Sequence, residues 1–157
     1  MAELKDLLSP GRIRAPLKET TKEGVIRELI DVLAACDDLR DRNAALQAVL
    51  EREKTRTTGI GNALAIPHGK TDAVSDLVMA VGIAPTPVDF ESVDGKPVSL
   101  VLLLLSPLDK TGPHIQALAR ISRLMSLAEF RKKLSAAGSA QEVYDAICAE
   151  EARHNGA

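Results

Sequence analysis

The stretch Val98 to Leu105, VSLVLLLL, constrains this chain more than any other. It reads as a strand, and every residue but Ser99 is apolar. A strand that is apolar on both faces has no side to give to water, so it must be covered above and below. Its core, Val101 to Leu105, is far too short to cross a bilayer, so the cover has to come from the rest of the chain. Helices on both faces of a small sheet meet that demand.

Helical segments flank the strand on either side. Ser9-Pro10-Gly11 reads as a turn and Arg12 to Leu17 as an extended piece that Pro16 places at a sheet edge. Thr20-Thr21-Lys22-Glu23 has the form of a capping box with Thr20 as the cap, ahead of a helical stripe of Val25, Ile26, Leu29, Ile30 and Leu33. Asp37 or Asp38 is expected to cap a second helix, with Ala45, Leu46, Val49 and Leu50 on its apolar face and Glu51-Arg52-Glu53-Lys54 at its end. Thr57 to Asn62 reads as loop, and Ala63 to Ile66 as a short strand running into Pro67-His68-Gly69. Leu77 to Ala84 is a further strand closed by Pro85 and Pro87, and Asp94-Gly95 is a turn.

Beyond Ser106-Pro107 the pattern is helical. Pro113 suits the first helical position, ahead of a stripe of Ile115, Leu118, Ala119, Ser122 and Met125. A helix over Ala128 to Ala137 stops at Gly138, and Ser139-Ala140-Gln141-Glu142 opens a last one through Val143, Ala146 and Ile147. The expectation is an α/β fold: a single three-layer domain over residues 1–150, with a small mixed sheet between helices and a frayed C-terminal tail over 151–157.

Composition removes several classes of activity. Aromatics make up 2% of the 157 residues and the formal net charge is −2, so neither base stacking nor a basic field favours nucleic acid as a partner. Cys36 and Cys148 stand alone, without a second ligand at metal spacing, which suits a reducing compartment. The opening Met1 to Asp6 carries acids and no long apolar run, so no secretory leader and no membrane insertion are expected, and a cytoplasmic location is.

Among the three histidines, His68 is singled out by its neighbours in AIPHGK, whereas His154 falls in the expected tail and is given no role. Pro67 fixes its own φ and holds Ile66 extended, and Gly69 is expected to permit a turn closed to other residues. A side chain between them is aimed by the backbone at a strand end, where sites in open α/β sheets sit. The same tripeptide also suits a plain surface turn. Likewise, Arg52 suits the C-terminal end of a helix dipole, and His114 a solvated first turn.

The two stretches REKTRTTGIGNALAIPHGK, Arg52 to Lys70, and LLLLSPLDKTGPHIQALARISRLM, Leu102 to Met125, decide among these readings. Together they resemble the type-2 IIA component of the phosphoenolpyruvate-dependent phosphotransferase system, the fructose, mannitol and nitrogen-regulatory class. The resemblance extends from about Leu4 to Glu150. It implies that His68 is the histidine phosphorylated on Nε2, receiving the group from HPr or an HPr-like carrier and passing it to a IIB domain. Arg52 matches the arginine that approaches the phosphoryl oxygens, and His114 matches a second histidine lining the pocket. No metal or cofactor is implied.

The chemistry fits those residue types. A neutral imidazole is a nucleophile at physiological pH and keeps a transferable P–N bond. Phosphoryl transfer is largely positioning and charge stabilisation, which a planar multidentate guanidinium supplies better than a lysine. Gly59 and Gly61 either cradle phosphate through their amides or let the loop pass close to the strand end. Where many family members carry glycine, this chain has Ala63, at a strain of about 1 kcal/mol if φ is positive there. Two activities follow from the resemblance: a phosphoryl carrier for sugar uptake, or a nitrogen-type regulator whose phosphorylation state selects target proteins. A rim of Ile66, Leu108 and Ile115 is the expected docking surface for either partner.

Overall fold

The two-faced strand lies in the middle of the molecule, as its composition demands. The structure, a computed structural model, describes residues 3–155. In chain order the elements are α1 (Leu4–Leu7), a 3-10 turn (Pro10–Arg12), β1 (Ile13–Arg14), α2 (Lys22–Ala35), α3 (Arg42–Thr55), β2 (Gly59–Gly61), β3 (Leu64–Ala65), β4 (His68–Lys70), β5 (Val78–Val88), β6 (Val98–Ser106), α4 (Thr111–Met125), α5 (Ala128–Ser135) and α6 (Ala140–Asn155).

The sheet runs β1-β5-β6-β3-β2, with β4 also on β6, and it is mixed: β1 is parallel to β5, β3 and β4 to β6, while β5–β6 and β2–β3 are antiparallel. Along β6, Leu100, Leu102 and Leu104 enter the core shared with α1, α4, α5 and α6, while Val101, Leu103 and Leu105 enter the core under α2 and α3. All six are buried. The domain is the three-layer arrangement anticipated from the sequence.

Several local expectations shift by a residue or more. Thr21, not Thr20, caps α2, its hydroxyl accepting from the Gly24 amide at 3.1 Å. Asp41, not Asp37 or Asp38, caps α3 by accepting from Ala44 N. Asp38 instead receives two hydrogen bonds from the Arg12 guanidinium. Helix α4 begins at Thr111, so Pro113 is its third residue and the His114 amide already donates to Lys110 O. Its buried face is His114, Ala117, Ile121, Leu124 and Met125; of the expected stripe only Met125 is buried and Leu118 half-buried, whereas Ile115, Ala119 and Ser122 are exposed. Both stripes have helical spacing, and counting the histidine as polar selects the wrong one.

The chain is not frayed at residue 151. Helix α6 continues to Asn155, and the buried Glu151 carboxylate accepts from the amides of Leu4 and Lys5 at 2.7 and 2.9 Å. A carboxylate on those free amides holds the first helix against the last. Residues 156–157 of the expected tail lie outside the described residues.

Candidate functional site

Pro67 has no amide to give, yet β3 and β4 keep one register against β6, with Leu64 opposite Leu100 and His68 opposite Leu104. His68 therefore begins a strand. Gly69 serves a different end from the expected turn, because its φ is not positive. A Cβ there would come within 3.2 Å of the backbone of Ala48 and Val49. The missing side chain lets α3 press onto β4, and Arg52, one helical turn beyond Ala48, is carried to the strand end.

His68 Nδ1 lies 2.8 Å from Ile66 O. In the neutral ring Nδ1–H donates to that carbonyl and Nε2 keeps its lone pair. Burial lowers the His68 pKa below the ordinary imidazole value. The Arg52 charge pushes the same way, against the Ile66 carbonyl and Glu53, which favour protonation. The lowered value favours the neutral ring near pH 7.

The ring of His114 stands beside it, centroids 5.5 Å apart and planes inclined at 56°. His114 is 5% exposed, and its Nδ1 is 2.5 Å from Ser106 Oγ. Burial, then the neighbouring His68 and Lys70, lower its pKa to about 4. Lys70 Nζ donates to Thr111 Oγ1 at 3.1 Å and adds a second cation to this end of the sheet.

A cleft of about 260 Å³ is lined by Arg52, Arg56, Thr57, Thr58, Ile66 and His68, among others. Arg52 Nη1 donates to Arg56 O at 3.1 Å, which steadies the end of α3. The structure thus brings Arg52, His68 and His114 together from three separate elements. Gly59 and Gly61 shape the loop instead of lining the cleft. A Cβ on Gly59 would reach within 3.0 Å of Ser92 Cα, and Gly61 has φ +105°. Ala63 does take a positive φ, +62°, next to Asn62 at +57°.

Residues that the sequence reading passed over complete the site. Glu53, 6% exposed, accepts from the amide and hydroxyl of Thr58 and pairs with Lys22. It ties the cleft loop to α3. Burial acts to raise its pKa, but the bonds from Thr58 and Lys22 outweigh that and hold it below the ordinary carboxylate value. Its only signal in the sequence was its place as one of two acids in the cluster Glu51-Arg52-Glu53-Lys54. Ser106 had no signal beyond ending an apolar run. The apolar rim expected from the sequence also differs: Ile66 is buried, Leu108 and Ile115 are exposed as expected, and Ile60 and Val93, which line the cleft, are exposed as well.

Comparison with known proteins bears on the family and the fold. Residues 6–150 match the family described as phosphoenolpyruvate-dependent sugar phosphotransferase system, EIIA 2. The chain is 38% identical to a nitrogen regulatory protein of Bradyrhizobium diazoefficiens over 92% of its length and 94% of that protein's. It is 37% identical, over 92% of its length, to a fructose-specific EIIABC component of Bacillus subtilis, of which it spans 23%. The crystal structure of the nitrogen regulatory protein IIA-Ntr from Neisseria meningitidis superposes with a TM-score of 0.85 at 29% identity, covering 91% of this chain and 97% of that one. The chain belongs to the EIIA 2 family of the sugar phosphotransferase system.

Proposed function

We propose that the protein is a phosphohistidine carrier: His68 Nε2 accepts a phosphoryl group from HPr or an HPr-like protein and passes it to a IIB partner serving sugar uptake. The observation that carries this reading is the 2.8 Å contact between His68 Nδ1 and Ile66 O, which commits one nitrogen to the backbone and leaves the other as the nucleophile. In the transfer, the Nε2 lone pair bonds to phosphorus and the carrier's P–N bond breaks, its electron pair returning to the carrier's ring. The positive charge gained by the His68 ring is met by the Ile66 carbonyl through Nδ1–H. Arg52, beside the ring, supplies charge to the equatorial oxygens, and His114 a second donor.

Ile60, Val93, Leu108 and Ile115 are exposed near this chemistry, an apolar surface suited to brief protein docking. The test is incubation with phosphoenolpyruvate, enzyme I and the carrier, followed by intact-mass measurement. Wild type should gain one phosphoryl group and His68→Ala none. Labelling that persists in the variant removes His68 from the mechanism.

The likeness to the Bradyrhizobium nitrogen regulatory protein favours a second reading on the same chemistry. There the phosphoryl dianion on His68 alters the apolar rim and so selects regulatory targets. Onward transfer to a IIB cysteine supports transport. Phosphorylation without such transfer, together with binding of a target in one state only, supports regulation.

A further inference from the structure

Ser106 ends β6 with its side chain wholly buried, and its Oγ is 2.5 Å from His114 Nδ1. Two proton arrangements fit that distance. If Nδ1–H donates to Oγ, the serine hydroxyl proton is left in a dry interior, where, among the described residues, His114 Nδ1 is the partner in reach. If the hydroxyl donates to Nδ1, both groups are satisfied and the ring proton sits on Nε2. A buried donor without an acceptor is the costlier defect, so the second arrangement wins. It also suits the neighbour. With His68 Nδ1–H committed to Ile66 O, the His68 ring presents a lone pair at Nε2, 5.5 Å from His114 between centroids. A second bare lone pair there would repel both the nucleophile and any incoming anion, whereas an N–H would not.

We propose that Ser106 is a positioning residue that holds His114 in the Nε2–H tautomer, so that a neutral ring offers a hydrogen-bond donor to phosphoryl oxygens on His68. The consequence for phosphate rests on the function proposed above; the tautomer does not. A neutral donor suits a relay, because it favours the anion without fixing it by full charge. Burial of the ring, and after it the neighbouring His68 and Lys70, keep His114 itself from taking a positive charge.

The test is long-range proton–nitrogen NMR of the whole protein near pH 7. In wild type His114 Nδ1 should resonate as an unprotonated nitrogen and Nε2 as a protonated one. Ser106→Ala should shift the ring toward the other tautomer, and Ser106→Thr should restore the wild-type pattern. A protonated Nδ1 in wild type, which needs no variant to be seen, overturns the proposal, as does a tautomer unchanged by Ser106→Ala. After phosphorylation, the phosphohistidine of Ser106→Ala should hydrolyse about two- to tenfold faster than wild type, the loss of one hydrogen bond. An unchanged lifetime in a variant whose tautomer has moved overturns the assigned purpose. A wild-type protein that takes no phosphoryl group but shows the stated tautomer would refute the carrier reading alone.

Discussion

Lys22 Nζ lies 2.9 Å from Glu53 Oε2, joining the first turn of α2 to the last turns of α3 beneath the loop that walls the cleft. The same carboxylate holds Thr58 through its amide and hydroxyl. Removing one member of a buried charged cluster leaves the other uncompensated. Glu53→Ala should therefore lower unfolding stability by about 3 kcal/mol in urea titration, near the low end for such pairs because Lys22 retains Glu91 and the Phe90 carbonyl. The Glu53 pKa is depressed on folding, so its contribution is complete above the ordinary carboxylate value and disappears as pH falls through the folded one.

His114 contributes acid sensitivity in a different window. Its pKa falls from 6.5 to about 4 on folding, so between those values the unfolded chain binds the extra proton. Stability must then rise with pH across the window and fall on acidification from 6.5 toward 4. Thermal melts should lose midpoint steadily over that range. His114→Gln should flatten this part of the profile, and an identical slope in the variant would exclude His114 as its source.

Gly69→Ala is expected to cost about 1–3 kcal/mol, since the neighbours it meets at 3.2 Å are backbone atoms of α3 that cannot rotate away. Because that contact also seats Arg52, the phosphorylation rate should fall along with stability. Denaturant titration and the phosphoryl-transfer assay together check both halves.

Ala63→Gly should relieve a residue held at φ +62°. The left-handed strain it removes is partly offset by the greater freedom of glycine in the unfolded chain. A net gain below about 1 kcal/mol is expected in the same titration, with His68 chemistry retained.

Arg52→Ala should slow phosphoryl transfer about 10- to 100-fold, the range for losing a charged hydrogen bond. Half-buried at the end of α3, its guanidinium makes one backbone bond to Arg56, so circular dichroism should change little. Arg52→Lys should recover only part of the rate, because an ammonium cannot reproduce the fork.

The layered architecture was legible because β6 carries its own instruction: Leu100 to Leu105 alternate between two cores, and no solvated face exists for either set. The prominence of His68 was legible from Pro67, whose fixed φ marks the backbone before it, and from Gly69, although that glycine turned out to serve the close approach of α3 and not a turn. Helix faces and caps were less so. Thr20 and Thr21 are equivalent to a pattern reader, and only the hydrogen bond from Gly24 separates them. In α4 two apolar stripes compete, and the choice depends on a histidine that is buried because Ser106 receives it.

By itself the sequence determined the local periodicities, the two-faced strand and the proline that holds Ile66 extended ahead of His68, all of which follow from side-chain chemistry within a few positions. Only the tertiary structure decided that Gly69 exists for the approach of α3, that Glu151 caps the opposite terminus, and that Ser106, Glu53 and Lys70 gather around the imidazoles. Those are contacts between distant segments, and their energies depend on burial and direction, which no local pattern encodes.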